Sequence, residues 1–135
     1  MILVDSNVLL DLFTDDPEWS PWSIARIEEL SAEAPLIIND IVYAEVSIRF
    51  GSIDEVDGAI RQAGLQLNAI PRQALFHAGK VFRRYRAAGG NRTGVLPDFF
   101  IGAHAEVAGL RLLTRDVRRY RTYFPSVELI APEQA

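Results

Sequence analysis

The sequence predicts an α/β fold, in the form of a three-layer α/β/α sandwich with a mostly parallel central sheet. Short apolar runs alternate with segments of helical periodicity along the whole chain. These runs are apolar at every position, as expected for strands covered on both faces. The length of 135 residues suits one domain with a sizeable core, so we expect residues 1–135 to form a single domain.

The first half of the chain is predicted to contain three strands and four helices. Apolar runs predict the strands at 1–4, 35–38 and 65–68. Helical spacing predicts helices at 6–13, 20–32, 41–50 and 52–64. Start signals support the last three helices: Ser20 as a cap before Pro21, a cap at Asn39 or Asp40, and a capping box in 52–55. The apolar face expected for the second helix consists of Trp22, Ile24, Ile27 and Leu30.

The second half is organised around residues 95–116. A fifth helix is predicted from Pro71 to about Gly89, followed by a loop over 91–96. Pro97 then interrupts the chain, Asp98 is expected to cap a helix over 99–108, and Gly109 to end it. The last predicted elements are a strand at 111–114, a short arginine-rich helix after Asp116, a strand at 127–130 and a frayed tail.

The composition restricts the chemistry that the chain can perform. Without cysteine there is no disulfide, no thiolate zinc site and no cysteine nucleophile. The two histidines leave little room for a histidine-built site, so any metal must be held by oxygen or imidazole. No apolar run approaches the roughly 20 residues of a membrane span, and no signal-peptide pattern opens the chain. We therefore expect a cytoplasmic protein without a membrane partner.

The net charge of −4 conceals a strong asymmetry along the chain. Residues 1–79 hold 13 acidic residues and 4 arginines, whereas residues 80–121 hold 10 basic residues and 3 acidic ones. The basic third could bind phosphates, or it could pair with the acidic part of the folded surface. Within it, Arg115, Arg118 and Arg119 are candidates for contacting a nucleic-acid backbone from one face of the short helix, and a solvated helix surface is the alternative.

Four acidic residues stand at positions that a solvated surface does not explain. Asp5 and Asp116 follow apolar strands, Asp98 begins a helix, and Glu45 is expected on an apolar helix face between Ile41 and Ile48. Taken singly, each acid could be a helix cap or half of an ion pair. Taken together, they would converge at the carboxyl edge of a parallel sheet, which is where ligands bind in α/β proteins.

Converging carboxylates repel one another unless a cation compensates them. Ligation by oxygen alone favours Mg²⁺, with Mn²⁺ as a possible substitute. A site of this kind supports metal-assisted transfer of a phosphoryl group. We therefore expect a metal-dependent enzyme that catalyses phosphoryl transfer.

The motifs resemble those of the PIN-domain ribonucleases, and within that group the VapC-type toxins of toxin–antitoxin systems. The resemblance rests on ILVDSN at residues 2–7, the inward Glu45, LPDFFIGAHA at 96–105 and LTRD at 113–116. It implies a Mg²⁺-dependent endoribonuclease that cuts structured RNA and arrests translation until a cognate antitoxin blocks it. It also implies a homodimer.

Position by position, the resemblance assigns Asp5, Asp98 and Asp116 as metal-binding acids. It assigns Glu45 as the acid that reaches the metal or its water. Asn7 and Thr114 match polar residues that orient these carboxylates. Trp19 and Trp22 belong either to the core or to a groove for an antitoxin helix. His104 is expected to be a packing residue.

Three other functions compete with this interpretation. A haloacid-dehalogenase-type phosphatase needs a second Asp two residues after the first, where this chain has Asn7. A response-regulator receiver domain needs a lysine after a late strand, and the only lysine, Lys80, lies in a predicted helix. The third is a non-catalytic protein-binding module whose acids are structural caps.

Overall fold

The computed structural model describes residues 1–133 and contains a five-stranded sheet in which every strand pair is parallel. The order along the sheet is β3-β2-β1-β4-β5. The strands are β1 (Ile2–Val4), β2 (Leu36–Ile38), β3 (Leu65–Leu67), β4 (Arg111–Leu113) and β5 (Leu129–Ile130). Every residue of β1 and β2 is buried, as expected for strands covered on both faces. The predicted α/β fold is confirmed; Gln134 and Ala135 of the predicted frayed tail lie outside the described residues.

Seven helices connect and cover these strands in the described part of the chain. They are α1 (Ser6–Thr14), α2 (Ser20–Ser31), α3 (Asp40–Ser47), α4 (Ile53–Gln62), α5 (Arg72–Ala87), α6 (Pro97–Ala108) and α7 (Arg118–Tyr123). None of the helices within residues 1–133 has both the length and the apolarity needed to cross a lipid bilayer.

Several helix boundaries follow the predicted local signals. The side chain of Asn39 accepts hydrogen bonds from the N–H groups of Ile41 and Val42, so Asn39 caps α3. Ser52 caps α4 by accepting from the Glu55 N–H. Gly109 ends α6 in the left-handed conformation, at φ 66°, which costs glycine little. These three predictions are confirmed.

The predicted start of α2 is wrong by one residue, because the turn before it is organised by Asp16. The Asp16 carboxylate accepts from the N–H groups of Glu18 and Trp19. Trp19 is consequently the N-cap, and Ser20 is the first helical residue, with its hydroxyl bonded to Asp15. The predicted apolar face is also narrower than expected, since Ile24 is 40% exposed.

Helix α3 ends at Ser47 rather than at residue 50. The Ser47 hydroxyl bonds back to the Tyr43 carbonyl, a contact that competes with regular helix continuation. The Phe50 ring then packs edge-on against Phe13 at 5.4 Å between centroids, which draws the chain out of the helix. Ile48 is left 83% exposed, so it does not belong to an apolar face of α3.

The close packing between α6 and the segment after α7 depends on Gly102. A Cβ atom at this position would lie 2.3 Å from the ring of the buried Phe124. Gly102 stands one helical turn after Asp98, on the same face of α6. The absent side chain therefore lets the acid-bearing end of α6 approach α7.

Replacing Gly102 with alanine is expected to destabilise the fold by about 1–3 kcal/mol, because the added methyl group overpacks a filled core. Chemical denaturation measures the change. Gly79→Ala is the matched control: nothing lies within 4 Å of its Cβ position in α5, so alanine should stabilise the helix by about 0.5–1 kcal/mol. Equal stabilities for Gly102→Ala and the wild type would contradict this account.

Candidate functional site

Asp5 lies directly after β1 and is 3% exposed. Its N–H donates to the Leu113 carbonyl of the neighbouring strand, which fixes its place at the carboxyl edge of the sheet. Its carboxylate caps α1 by accepting from the Ser6 N–H at 2.7 Å through Oδ1. The other oxygen, Oδ2, accepts from the hydroxyls of Tyr120 at 2.8 Å and Thr114 at 2.9 Å. Asp5 is thus both a structural cap and the centre of a buried polar network.

Burial raises the pKa of Asp5 to about 6. The hydrogen bonds from Tyr120 and Thr114 act in the opposite direction, because they favour the charged form. The negative charge of Asp98 raises the pKa further. A nearby positive charge would therefore favour the ionised form of this carboxylate.

Glu45 reaches the same region from α3. Its Oε1 accepts a hydrogen bond of 2.9 Å from the Ser6 hydroxyl, next to the Asp5 carboxylate. The buried face of α3 is formed by Val42 and Val46, and not by the exposed Ile48 on which the prediction relied. Glu45 is half-buried, and this burial is the main reason why its pKa is raised. The negative charge of Asp98 also raises the pKa, whereas the hydrogen bond from Ser6 lowers it.

Asp98 is in the first turn of α6 and does not cap it, contrary to the prediction. Pro97 is the first helical residue, and Leu96 occupies the N-cap position without a side-chain bond. Proline favours the first position of a helix, so α6 begins at Pro97 and Asp98 is its second residue. Its Oδ2 instead pairs with Nη1 of Arg119 at 3.2 Å. Its negative charge nevertheless acts on both Asp5 and Glu45.

Asp116 is exposed and sits just before α7, whose N-cap position is taken by Val117. Its Oδ1 accepts a hydrogen bond of 3.3 Å from the Arg118 N–H. Asp116 therefore stabilises the start of α7 from the position before the N-cap, and not from the predicted N-cap position. The Thr114 hydroxyl lies 3.1 Å from the Asp116 N–H and 2.9 Å from Asp5. Thr114 therefore joins the segment carrying Asp116 to the buried carboxylate.

Asn7 reinforces this connection. Its amide nitrogen lies 3.3 Å from the Thr114 hydroxyl and 3.4 Å from Asp5 Oδ2. Its amide oxygen accepts from the Arg115 N–H at 3.1 Å. Asn7 and Thr114 together hold the chain after β4 against the start of α1.

Arg115 does not stand with Arg118 and Arg119 on one helix face, because it precedes α7. Its guanidinium makes two hydrogen bonds, of 2.6 and 2.9 Å, to the carboxylate of Asp11. Asp11 is only 2% exposed and also accepts from the Ser23 hydroxyl. The Arg115 guanidinium lies 4.9 Å from the ring centroid of Trp19. Two of its donors, the Nε and Nη2 groups, are thus engaged by a buried carboxylate. A contact of Arg115 with RNA stays a prediction.

A cleft of about 370 Å³ opens beside these residues. The acids Asp98 and Asp116 line it together with Arg118 and Arg119. The rest of its wall is formed by Tyr85, Thr122 and Tyr123. The cleft therefore places acidic, basic and aromatic side chains around one opening.

Two residues of the site were not singled out from the sequence. Tyr120 is buried in an arginine-rich helix that shows no clear apolar face, yet its hydroxyl donates to Asp5. Its spacing of four residues from Asp116 was the available signal. Asp11 follows the buried Val8 by three residues on α1, and this spacing could have marked it as inward-facing.

His104 of α6 is buried and connects to α3 through its cap. Because Asn39 Oδ1 is occupied by two backbone N–H groups, its amide nitrogen faces His104 Nδ1 at 3.2 Å. Nδ1 must then be the acceptor, and the ring is neutral with its proton on Nε2. Burial lowers the pKa of His104, which agrees with a neutral packing residue.

Every candidate ligand here is a carboxylate oxygen, the donor that Mg²⁺ and Mn²⁺ prefer. The negative charge of Asp98 raises the pKa of both Asp5 and Glu45, and a divalent cation would relieve that repulsion. As arranged within residues 1–133, however, no three acidic or histidine side chains are grouped closely enough to hold an ion jointly. The donor chemistry fits a hard divalent cation, provided that the carboxylates close in on it.

Comparisons with known proteins agree with the fold. The profile of the PIN domain family matches residues 2–125. No curated protein sequence matches the chain significantly.

Three solved complexes illustrate the structural similarity. VapBC2 from Rickettsia felis, bound to a DNA fragment from its promoter, has a TM-score of 0.75 and 17% identity, covering 98% of this chain and 100% of that chain. DNA-bound VapBC from Salmonella typhimurium has a TM-score of 0.71 and 19% identity, covering 97% and 98%. A toxin–antitoxin complex from Klebsiella pneumoniae has a TM-score of 0.62 and 21% identity, covering 100% of both chains.

At these identities the solved structures establish a shared fold and no more. The family profile, by contrast, spans nearly the whole chain and includes all four acids of the site. The resemblance noted in the motifs is confirmed at this level: the chain belongs to the PIN domain family.

Proposed function

We propose that this protein is a Mg²⁺-dependent endoribonuclease toxin of the VapC type, which cleaves RNA in the cytoplasm, inhibits translation and is neutralised by a cognate antitoxin. The observation that carries the proposal is the buried Asp5 carboxylate with two further acids near it. The charge of Asp98 raises the pKa of Asp5, and Glu45 accepts a hydrogen bond from the neighbouring Ser6 hydroxyl. A cluster of coupled acids at the carboxyl edge of a parallel sheet is a typical setting for catalysis. Membership of the PIN domain family supports the same conclusion.

The proposed metal ligands are Asp5, Asp98 and Asp116, with Glu45 acting directly or through water. When bound, Mg²⁺ would polarise the phosphate and make water a better nucleophile. Asp98 pairs with Arg119 through Oδ2, so Arg119 would stand beside the metal, where it could bind a phosphate oxygen of the substrate. Glu45, held by Ser6, is placed to orient the attacking water or to accept its proton.

The proposed protein partners are an antitoxin and a second copy of this chain. The similar structures include VapBC and toxin–antitoxin complexes, which supports an antitoxin partner. An open apolar groove of about 330 Å³ on α1, α2 and α4 could accept apolar side chains of that partner. Its apolar lining includes Leu12, Phe13, Ile24, Ala59 and Ala63. Trp19 is not part of it, because its ring lies against Arg115 and Trp22.

Asp98→Asn is expected to reduce Mg²⁺-dependent RNA cleavage by at least about a hundredfold, the scale of losing one charge-stabilising group in an active site. The amide keeps the size of the side chain and can still accept from Arg119, so thermal unfolding should change little. Cleavage of total RNA by the purified protein measures the effect. Expression of the wild type, but not of the variant, should reduce amino-acid incorporation in cells.

Glu28→Gln is the matched control for Asp98→Asn, because it removes an exposed charge on α2, away from the acids. It should cleave RNA as the wild type does. If Asp98→Asn also retained full activity, the proposed mechanism would be wrong. A wild type that cleaves no RNA under any metal condition would favour the non-catalytic binding module.

Mg²⁺ or Mn²⁺ should stabilise the wild-type protein, because a ligand that binds only the folded state shifts the unfolding equilibrium. At a concentration of 100 times the Kd, the gain is about 2.7 kcal/mol. Thermal unfolding across a metal titration measures it, and Asp5→Asn should reduce the shift. The absence of any shift in the wild type would count against the proposed metal site.

A further inference from the structure

We propose that Tyr85 stacks against an unpaired base of the RNA next to the phosphate that is cleaved. The inference rests on the proposed function, since it names the part of an RNA substrate that the cleft beside the acids accepts. Tyr85 lies on α5, more than ten residues before the acid-bearing α6, and nothing in the metal chemistry requires an aromatic ring there. It nevertheless forms part of the wall of the same cleft as Asp98 and Asp116.

The Tyr85 ring is held rigidly by other aromatic rings. It stacks on Phe82 with centroids 5.8 Å apart and an interplanar angle of 29°. It meets the buried Phe99 edge-on at 5.4 Å and Tyr123 edge-on at 5.9 Å. Because Phe99 adjoins Asp98 in α6, the position of the ring is tied to that of a catalytic acid. A preformed ring loses little conformational freedom when a base binds to it.

Gly90 gives the Tyr85 ring its space. A Cβ atom at this position would lie 2.3 Å from the ring, so any larger residue would force the ring to move. The backbone of Gly90 does not adopt a positive φ, unlike that of Gly89. The glycine at position 90 is therefore explained by contact with Tyr85 and not by a turn conformation.

The charges in the cleft complement the aromatic wall. Arg118 is exposed, and Arg119 pairs with Asp98 at 3.2 Å at the partly exposed rim. Thr122 lies in the same wall, and its hydroxyl donates to the Arg118 carbonyl. Arginine beside an aromatic ring is the combination by which proteins bind single strands, with phosphates on the cations and bases on the rings.

Stacking on a protein ring favours an unpaired base over a duplex. A volume of about 370 Å³ is at the lower end of the range for pockets that enclose a small ligand. The bases of a double helix are already stacked on their neighbours and have no free face. A base in a loop or a single strand, by contrast, has a free face for an aromatic ring. Stacking on Tyr85 therefore requires a base that is unpaired.

The test measures binding without cleavage, in EDTA, by fluorescence anisotropy. The probes are a labelled single-stranded RNA of mixed sequence and the same strand annealed to its complement. Tyr85→Leu should bind the single strand about tenfold more weakly, which is within the range for losing one base–aromatic stack. Binding of the duplex should be unchanged. Tyr85→Phe keeps the ring and should bind both probes as the wild type does.

A second readout reports stacking directly. The fluorescence of 2-aminopurine in the single strand should be quenched on binding to the wild type and to Tyr85→Phe. Gly90→Ala should weaken both the quenching and the binding, because it displaces the ring without removing it. This measurement on the wild type also decides the matter if Tyr85→Leu fails to fold.

Single-strand binding that is unaffected in a folded Tyr85→Leu protein, or the absence of quenching in the wild type, would overturn the inference. Mg²⁺-dependent cleavage is measured separately. If cleavage by the wild type persists while Tyr85→Leu cleaves and binds normally, only the stacking role fails. If the wild type neither binds nor cleaves RNA, the proposed function fails with it.

Discussion

The hydrogen bonding of one buried carboxylate, that of Asp5, is the constraint on which the rest of the site depends. An ionised carboxylate without partners in the interior costs several kcal/mol, so it must be bonded or neutralised. Its donors come from α1, from the end of β4 and from α7, through Ser6, Thr114 and Tyr120. Satisfying this one group therefore fixes three segments relative to the central strand. The packing of these segments therefore depends on the buried Asp5 carboxylate.

The arginines near the site divide into two kinds according to the acids they meet. Arg115 is bonded through two nitrogens to the buried Asp11, and so it fastens the chain after β4 to α1. Arg119 pairs with the partly exposed Asp98, where water weakens the attraction. The first pair is costly to break because a charge would be left buried, whereas the second can exchange partners. The second pair is therefore the more readily broken of the two.

The acids on α3 and α6 are held at a set separation by a contact outside the acidic cluster. Asn39 caps α3, and its amide nitrogen donates to the buried His104 of α6. Glu45 and Asp98 are carried by these two helices. Protonation of His104 would remove the acceptor and place two donors face to face, so the contact favours the neutral ring. The Asn39–His104 contact thus links the helices that carry Glu45 and Asp98.

The sequence alone predicted the fold class and most of the elements, and it singled out the four acids whose role is proposed above. Strands buried on both faces must be apolar throughout, and caps such as Asn39, Ser52 and Gly109 act on their own neighbours, so both signals are local. The tertiary structure decided the partners: Arg115 meets Asp11 across 104 positions and Tyr120 meets Asp5 across 115. It also decided that Asp98 faces Arg119 and that Ile48 faces solvent. Contacts of this kind depend on how helices cross a sheet, and no periodicity within one element encodes them.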